Sequence, residues 1–279
     1  MSEHRVLENT HARDPVTVGS LIGDLEKLFA DANSLGIKSG WLLNVHSSLS
    51  QIGWVAGGAQ AVLAALLQVI GSNGTLMMPA YTGHLSDPCH WKAPPVPEDW
   101  WQIIRDKMPA FDPVLTATRN MGIIAESFRS YPGVLRSNHP WVSFAARGAR
   151  AAELTAEHPL QSLFGESSPM AKLYELDGYI LLLGVDHGNN SCIHLAEDRA
   201  QFKGKSYMQE GAPILVNGQR QWQTFRVSQT DDKDFVELGE AFATQTNHEV
   251  RGNVGWGIGR LMRARDIVDF AQPYLERNR

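Results

Sequence analysis

Apolar residues follow two repeating patterns along the 279-residue chain, and one long stretch obeys neither. Val18, Leu21, Ile22, Leu25, Leu28 and Phe29 recur at helical spacing, with Gly36 as the break that follows. Residues 41–45 are a short unbroken apolar run between turn signals, the mark of a buried strand. A Gly-containing loop then leads to an Ala/Leu-rich helix over 59–70. Gly71-Ser72-Asn73-Gly74 ends that helix, and 75–78 starts another strand. This βαβ-like succession predicts an α/β protein with a central mostly parallel or mixed sheet flanked by helices.

Residues 81–118 break the rhythm. They hold Pro88, Pro94, Pro95, Pro97, Pro109 and Pro113 among Trp91, Trp100, Trp101, His84 and His90, with no sustained period. A loop this long is a lid-like insertion over a site or an irregular packed flap, and the pattern leaves both readings open. Order resumes with a helix over 121–130, a strand over 142–145 and a helix over 149–156. Ser168-Pro169 then caps a helix running to Leu176. Residues 179–184 carry the strongest buried-strand signal, and 189–201 begin as a loop and continue as a helix. Short strands near 214–216 and 221–227 and helices over 232–244 and 264–275 complete the reading. Residues 1–15 form a loose polar arm, and 16–279 make a single α/β domain with the 81–118 flap inserted.

Composition narrows the classes. Thirty acidic against 25 basic residues give a net charge of -5, with no Lys/Arg block to bind nucleic acid. The acidic excess suits a cationic small molecule. Cys89 and Cys192 stand far apart, outside any metal-ligand spacing, which fits a reducing compartment. The N-terminus has no apolar signal segment, and no apolar run approaches the roughly 18–20 residues a bilayer requires. The expectation is a cytoplasmic protein with no membrane partner, either monomeric or a homodimer. Trp91, Trp100 and Trp101 would line a cleft or pack a subunit contact.

Candidate chemistry gathers after the predicted strands, where open α/β sheets bind ligands. His46, His187 and His194 lie there. Three residues separate His194 from Glu197, so one helical face holds both, and such a carboxylate fixes an imidazole's tautomer and makes it a better base. The bland alternative is an ordinary surface contact. His46 either caps a loop or works in a site; Ser47, Ser48, Gly53, Gly57 and Gly58 offer backbone N–H groups to phosphates or amides. Arg136-Ser137-Asn138-His139-Pro140 is an anion site or a plain turn. The 46–58 segment lacks the Gly-Lys-Ser/Thr ending of a P-loop and the Gly-x-Gly-x-x-Gly of a dinucleotide site, no His-Glu-x-x-His or Gly-x-Ser-x-Gly elbow supports a zinc or serine-hydrolase reading, and no metal is expected. Cys192 reads as a small buried hydrophobe.

Taken in order, several motifs resemble one family. They are Val45-His46-Ser47-Ser48-Leu49-Ser50 with Ile52-Gly53 and Gly57-Gly58; Gly74-Thr75-Leu76 with Met78-Pro79; Arg136-Ser137 with His139-Pro140; Glu166 with Ser168-Pro169; Leu176-Asp177-Gly178; and His194-Leu195-Ala196-Glu197. Together they are similar to the aminoglycoside 3-N-acetyltransferases, which are distinct from the GNAT enzymes. The resemblance spans about residues 20–275. It implies an acetyl-CoA-dependent N-acetyltransferase of antibiotic resistance that acetylates the 3-amino group of a 2-deoxystreptamine ring by direct transfer. His194 is then the base and Glu197 its partner, with His46 and His139 in the active-site region. Ser47, Ser48, Leu49, Gly53, Val55, Met78, Arg136 and Ser137 would hold acetyl-CoA. Asp87, Glu166 and Asp186 are expected to grip a cationic aminoglycoside. The rival readings are acetylation of another small amine, and a non-catalytic binder of a cationic metabolite.

Overall fold

The computed structural model describes residues 13–30 and 40–279. Gly36 and most of the predicted N-terminal arm lie outside the described residues. The elements are α1 (Val18–Ala30), β1 (Leu42–Ser47), α2 (Leu49–Ile52), α3 (Gly58–Ile70) and β2 (Thr75–Pro79), followed by α4 (Trp101–Lys107), α5 (Gly122–Arg129), β3 (Leu135–Arg136) and β4 (Phe144–Gly148). Then come α6 (Ala151–Thr155), α7 (Pro169–Glu175), β5 (Tyr179–Leu183), α8 (Ile193–Arg199), β6 (Tyr207–Val216), β7 (Gln219–Ser228), α9 (Phe235–Thr246), β8 (Val250–Val254), β9 (Gly257–Arg263) and α10 (Ala264–Asn278).

Seven strands form one mixed sheet in the order β3-β4-β2-β1-β5-β9-β8. Its centre is parallel, β2-β1-β5, and the outer strands pair antiparallel. The pleat sorts successive side chains to opposite faces. Leu42, Met77, Ile180 and Leu182 enter one core with α6–α10, while Leu43, Val45, Leu76, Met78, Leu181 and Leu183 enter the other with α1, α3 and α5. Burial on both faces is why these strands read as continuous apolar runs.

Gly252 in β8, Gly257 and Gly259 in β9 and Gly255 in the turn between them interrupt the apolar residues, so no apolar run announces these strands. The strands expected near 214–216 and 221–227 are the end of β6 and most of β7, two ten-residue strands that pair as a hairpin outside the main sheet. The 81–118 segment is irregular but ordered. It contains 3-10 turns at Gly83–Leu85, Pro88–His90 and Glu98–Trp100, then α4, and is tied to the hairpin by Phe111 N–H donating to the Pro213 carbonyl (2.9 Å). Among the described residues, no helix is long and apolar enough to cross a membrane.

Candidate active site

The three parallel strands deliver their carboxyl ends to one edge of the sheet. β1 ends at His46-Ser47, register-paired with Leu182 and Leu183 of β5, and β2 ends at Pro79. β1 has a parallel neighbour on each side, which makes this edge a topological switch point, where open sheets hold ligands. A cavity of about 890 Å³ opens there. Its walls are the 46–58 loop, the 185–191 loop, the start of α5, and His194. Trp54 and Ile123 stand exposed in it, 44% and 56% accessible.

His194 is fixed from three sides. Its Nδ1–H donates to Glu197 Oε2 at 2.7 Å. The Phe164 ring stacks on the imidazole at 4.6 Å, and Phe235 tilts against it at 4.7 Å. Nε2 has no partner among the described residues and is left as the acceptor. Glu197 is buried, and its Oε1 accepts from Asp231 N–H (2.9 Å) and Arg279 Nη1 (2.5 Å). Arg279 also binds the Asp234 carboxylate and the Asp231 carbonyl. These bonds to Asp234 and Glu197 outweigh burial and raise the guanidinium's pKa above its ordinary value.

His46 reaches the same site because the pleat places it with Asn44 on one face of β1. Asn44 Nδ2 donates to His46 Nε2 at 3.1 Å, so the remaining hydrogen sits on Nδ1. Burial, with His194 nearby, lowers the His46 pKa to about 3 and keeps the ring neutral. Tyr81 donates to Ser191 Oγ at 2.6 Å, and burial pushes its phenol above the ordinary range.

A second cavity, of about 1490 Å³, shares Tyr81, Asn120 and Met121 with the first. The 83–96 part of the flap, the β6–β7 hairpin, Glu197, Asp231, Asp234 and Arg279 line it. His194 lines the first cavity and its partner Glu197 the second, so the pair stands where the two meet.

His46, Ser47, Ser48, Leu49, Gly53, Val55 and His194, all marked by the sequence, line the first cavity. The other expected site residues line neither cavity, apart from Glu197. Met78 points into the core under α3, on the same face of β2 as Leu76 and opposite Met77. Arg136 donates to the Ala80 carbonyl (2.6 Å), the Thr116 carbonyl (2.6 Å) and Ser143 Oγ (2.9 Å), which leaves it no free fork for a phosphate. Ser137 donates to His158 Nδ1 and accepts from Phe144 N–H, both at 2.9 Å. His139 is fully buried: Nδ1 accepts from Trp141 and Val142 N–H (both 3.1 Å), and Nε2 donates to the Leu160 carbonyl (3.3 Å). These four residues hold the fold.

The three carboxylates expected to grip a cation are likewise engaged elsewhere. Asp87 pairs with Arg105 (2.7 Å), exposed Glu166 pairs with Arg199 (2.6 Å), and Asp186 caps Gly188 N–H (3.1 Å). Asp232 lines the first cavity, and its carboxylate has no partner among the described residues. Sequence spacing missed Asp232, Tyr81, Ser191 and Arg279, because none sits in a patterned motif. Trp54 in a Gly-rich loop was a legible signal. Burial pushes the Cys192 thiol up to about 12, in keeping with its reading as a small buried hydrophobe. No group of histidine, cysteine and carboxylate side chains among the described residues has the arrangement to hold a metal ion.

A histidine–carboxylate pair between two adjoining cavities, at the switch point of a mixed α/β sheet, is the frame that a two-substrate transferase requires. Residues 45–276 match the model of the aminoglycoside 3-N-acetyltransferase family, and the chain belongs to that family. It is 45% identical over 254 residues to the SPbeta prophage-derived aminoglycoside N(3')-acetyltransferase-like protein YokD of Bacillus subtilis, covering 91% of this chain and 92% of that one. The crystal structure of YokD superposes with a TM-score of 0.92, at 43% identity, over 99% of this chain and 98% of that one. Aminoglycoside N(3)-acetyltransferase IX of Micromonospora chalcea is 38% identical over 284 residues, 95% of each chain. Two similar solved structures carry ligands. AAC-IIIb with CoASH has a TM-score of 0.81, and AAC-VIa with sisomicin 0.83. Each is 29% identical and matches 95% of this chain, with 97% and 98% of the respective partner covered.

Proposed function

We propose that this protein transfers an acetyl group from acetyl-CoA to the 3-amino group of the 2-deoxystreptamine ring of an aminoglycoside, directly and with His194 as general base. The observation that carries the reading is His194 itself, held by Glu197 where two cavities meet, with Nε2 unpartnered among the described residues.

The first cavity fits the acetyl-CoA side. The N-terminal turn of α3, entered through Gly57 and Gly58 at positive φ, offers a phosphate-binding helix end, and Gly58 lines the cavity. Exposed Trp54 and Ile123 offer apolar surface, while Ser47 and Ser48 offer hydroxyls to amide groups. Gly53 has φ +105°, and a Cβ there would sit 2.4 Å from the Trp256 ring, so only glycine fits this wall. The CoASH complex of AAC-IIIb supports the assignment. Acetyl-CoA supplies the activated acyl group, and this chain supplies alignment and proton handling.

An ammonium has no lone pair, and aminoglycoside amines are largely protonated at neutral pH. One proton is first released to solvent to give the neutral amine, and His194 Nε2 then takes a second as the nitrogen bonds to the acetyl carbon and the carbon–sulfur bond breaks. The same proton is then available to the departing thiolate. Glu197 fixes the tautomer and stabilises the imidazolium, and Arg279 and Asp231 N–H hold Glu197 in place. His46, kept neutral, offers its Nδ1–H to a developing oxyanion. Asp232 lines the first cavity with His194, where it would meet the ammonium of a substrate that reaches across to His194; the sisomicin complex of AAC-VIa supports a cationic partner for the enzyme. The reading places the protein in the cytoplasm, where acetyl-CoA is made and used.

Free-thiol release from acetyl-CoA with a panel of aminoglycosides tests the reaction. Release should fall at least about a hundredfold in His194→Ala, with acetyl-CoA binding retained. CoA binding without release on any aminoglycoside would move the acceptor to another small amine. Undiminished release by His194→Ala would remove the base from the mechanism.

A further inference from the structure

The second cavity contains another histidine–carboxylate pair, which the reaction described above leaves unused. His90 Nδ1 lies 3.1 Å from Glu210 Oε2. Glu210, at a buried position on β6, has its carboxylate aimed across to the flap. Its Oε1 accepts from Asp87 N–H at 2.6 Å and from its neighbour Gly211 N–H at 2.8 Å. A carboxylate engaged in this way is an acceptor at Oε2 as well, so the hydrogen shared with His90 belongs to Nδ1. His90 Nε2 is thereby fixed as an acceptor. It has no partner among the described residues, its side chain is 36% accessible, and the residue lines the second cavity beside Trp91.

Buried carboxylates are seldom kept without a use for their hydrogen bonds. One use is mechanical. Glu210 fastens the Pro88–His90 turn to the hairpin, and Asp87 continues the tie to Arg105 of α4. The tie needs only Oε1. The second oxygen orients a ring into the cavity, as Glu197 orients His194 in the adjoining one. His90 shares no hydrogen-bond partner with His194, and the second cavity is roomy enough for more than one sugar ring. Lys92 and Arg119 line the same cavity and disfavour a cation at this spot, so the acceptor suits a neutral hydroxyl or amine better than an ammonium.

We infer that the His90–Glu210 pair is a recognition subsite of the amine cavity, in which His90 Nε2 accepts a hydrogen bond from an O–H or N–H donor on a sugar ring other than the one acetylated. This rests on the second cavity being the amine site.

Glu210→Gln tests the inference with little change of shape. The amide that replaces the carboxylate keeps an oxygen for Asp87 and Gly211 N–H. Its nitrogen must then donate to His90 Nδ1, which moves the ring hydrogen to Nε2 and turns the acceptor into a donor. Calorimetric binding of sisomicin should weaken about tenfold in both Glu210→Gln and His90→Ala, the loss of one hydrogen bond to a sugar donor. Binding of 2-deoxystreptamine, which lacks the outer rings, and of CoA should not change. A Glu210→Gln/His90→Ala double variant no weaker than either single one would support the inference by tracing both losses to the same hydrogen bond. Equal losses for sisomicin and 2-deoxystreptamine would mean that the pair only braces the flap and would overturn the inference, as would unchanged sisomicin affinity. Because binding is read without turnover, a wild-type protein that binds sisomicin through His90 yet releases no thiol refutes the proposed reaction and leaves the subsite standing.

Discussion

Arg279 is the residue that most changes the picture of the site. One guanidinium joins Glu197, Asp234 and the Asp231 carbonyl, while its face lies over the Phe202 and Phe235 rings. Phe235 in turn packs on His194. Removing the cation leaves a buried carboxylate short of a partner and lets Glu197 drift from His194. Arg279→Ala should lower kcat about tenfold or more, with the KM for acetyl-CoA kept. Arg279→Lys should recover only part of that, since a point charge cannot bridge two carboxylates as a fork does. Steady-state kinetics of the two variants decide it, and a wild-type kcat in Arg279→Ala would remove the residue from the mechanism. His194 and Glu197 were legible because three-residue spacing on a helix is a local fact. Arg279 was not, because 82 residues separate it from Glu197 and only the packing of α10 on α8 brings it there.

At the scale of elements, α9 packs tightly on the loop after β5. His187 is buried and hydrogen-bonded to buried Glu249 at 2.6 Å. Burial acts to raise the Glu249 pKa, but His187 and Arg251 outweigh it and hold the carboxyl below its ordinary value. Gly239 lets α9 pass over the imidazole; a Cβ there would lie 2.0 Å from His187 Cγ. Gly239→Ala should therefore cost about 1–3 kcal/mol by overpacking, beyond the ~1 kcal/mol that alanine returns in a helix. A urea midpoint at or above wild type would refute the contact. Because the displaced loop carries Val185 and Ser191 into the first cavity, acetyl-CoA affinity should fall in the same variant. The sequence marked His187 as one of three histidines beyond strands, and its pairing across to β8 stayed hidden with β8 itself.

Across the whole molecule, three buried histidines couple stability to pH. Burial lowers His46 to about 3 and His158 to about 4, and with His158 nearby it holds His139 well below the ordinary histidine range. Their folded values lie below the unfolded value near 6.5, so the unfolded chain takes up protons first as pH falls. The stabilisation is complete above about 6.5 and is lost from there down towards 4 for His158 and towards 3 for His46. Each histidine contributes a slope of about 1.4 kcal/mol per pH unit. Unfolding free energies from urea titrations at about pH 7, 6 and 5 should fall with a slope that steepens towards three protons below about pH 6, and His158→Gln should reduce it there by about one. A flat profile would mean that these rings are solvated.

The sequence by itself determined the elements whose signal is local: the buried strands β1, β2 and β5, the helix over 59–70 with its glycine stop, the Ser168-Pro169 cap, and the His194–Glu197 pair. Each depends on neighbours within a turn or a pleat, and chain order alone preserves those relations. Tertiary structure decided which residues face the cavities. His46 and His139 look alike in sequence, each close to a serine in a polar turn. The pleat of β1 turns His46 towards His194, while backbone N–H groups and the Leu160 carbonyl hold His139 inside the fold. Asp87 and Glu166 found arginine partners that their spacing could not reveal, while Asp232, whose carboxylate has none among the described residues, lines the first cavity. Charge pairing is settled by distance in space, which sequence separation does not encode.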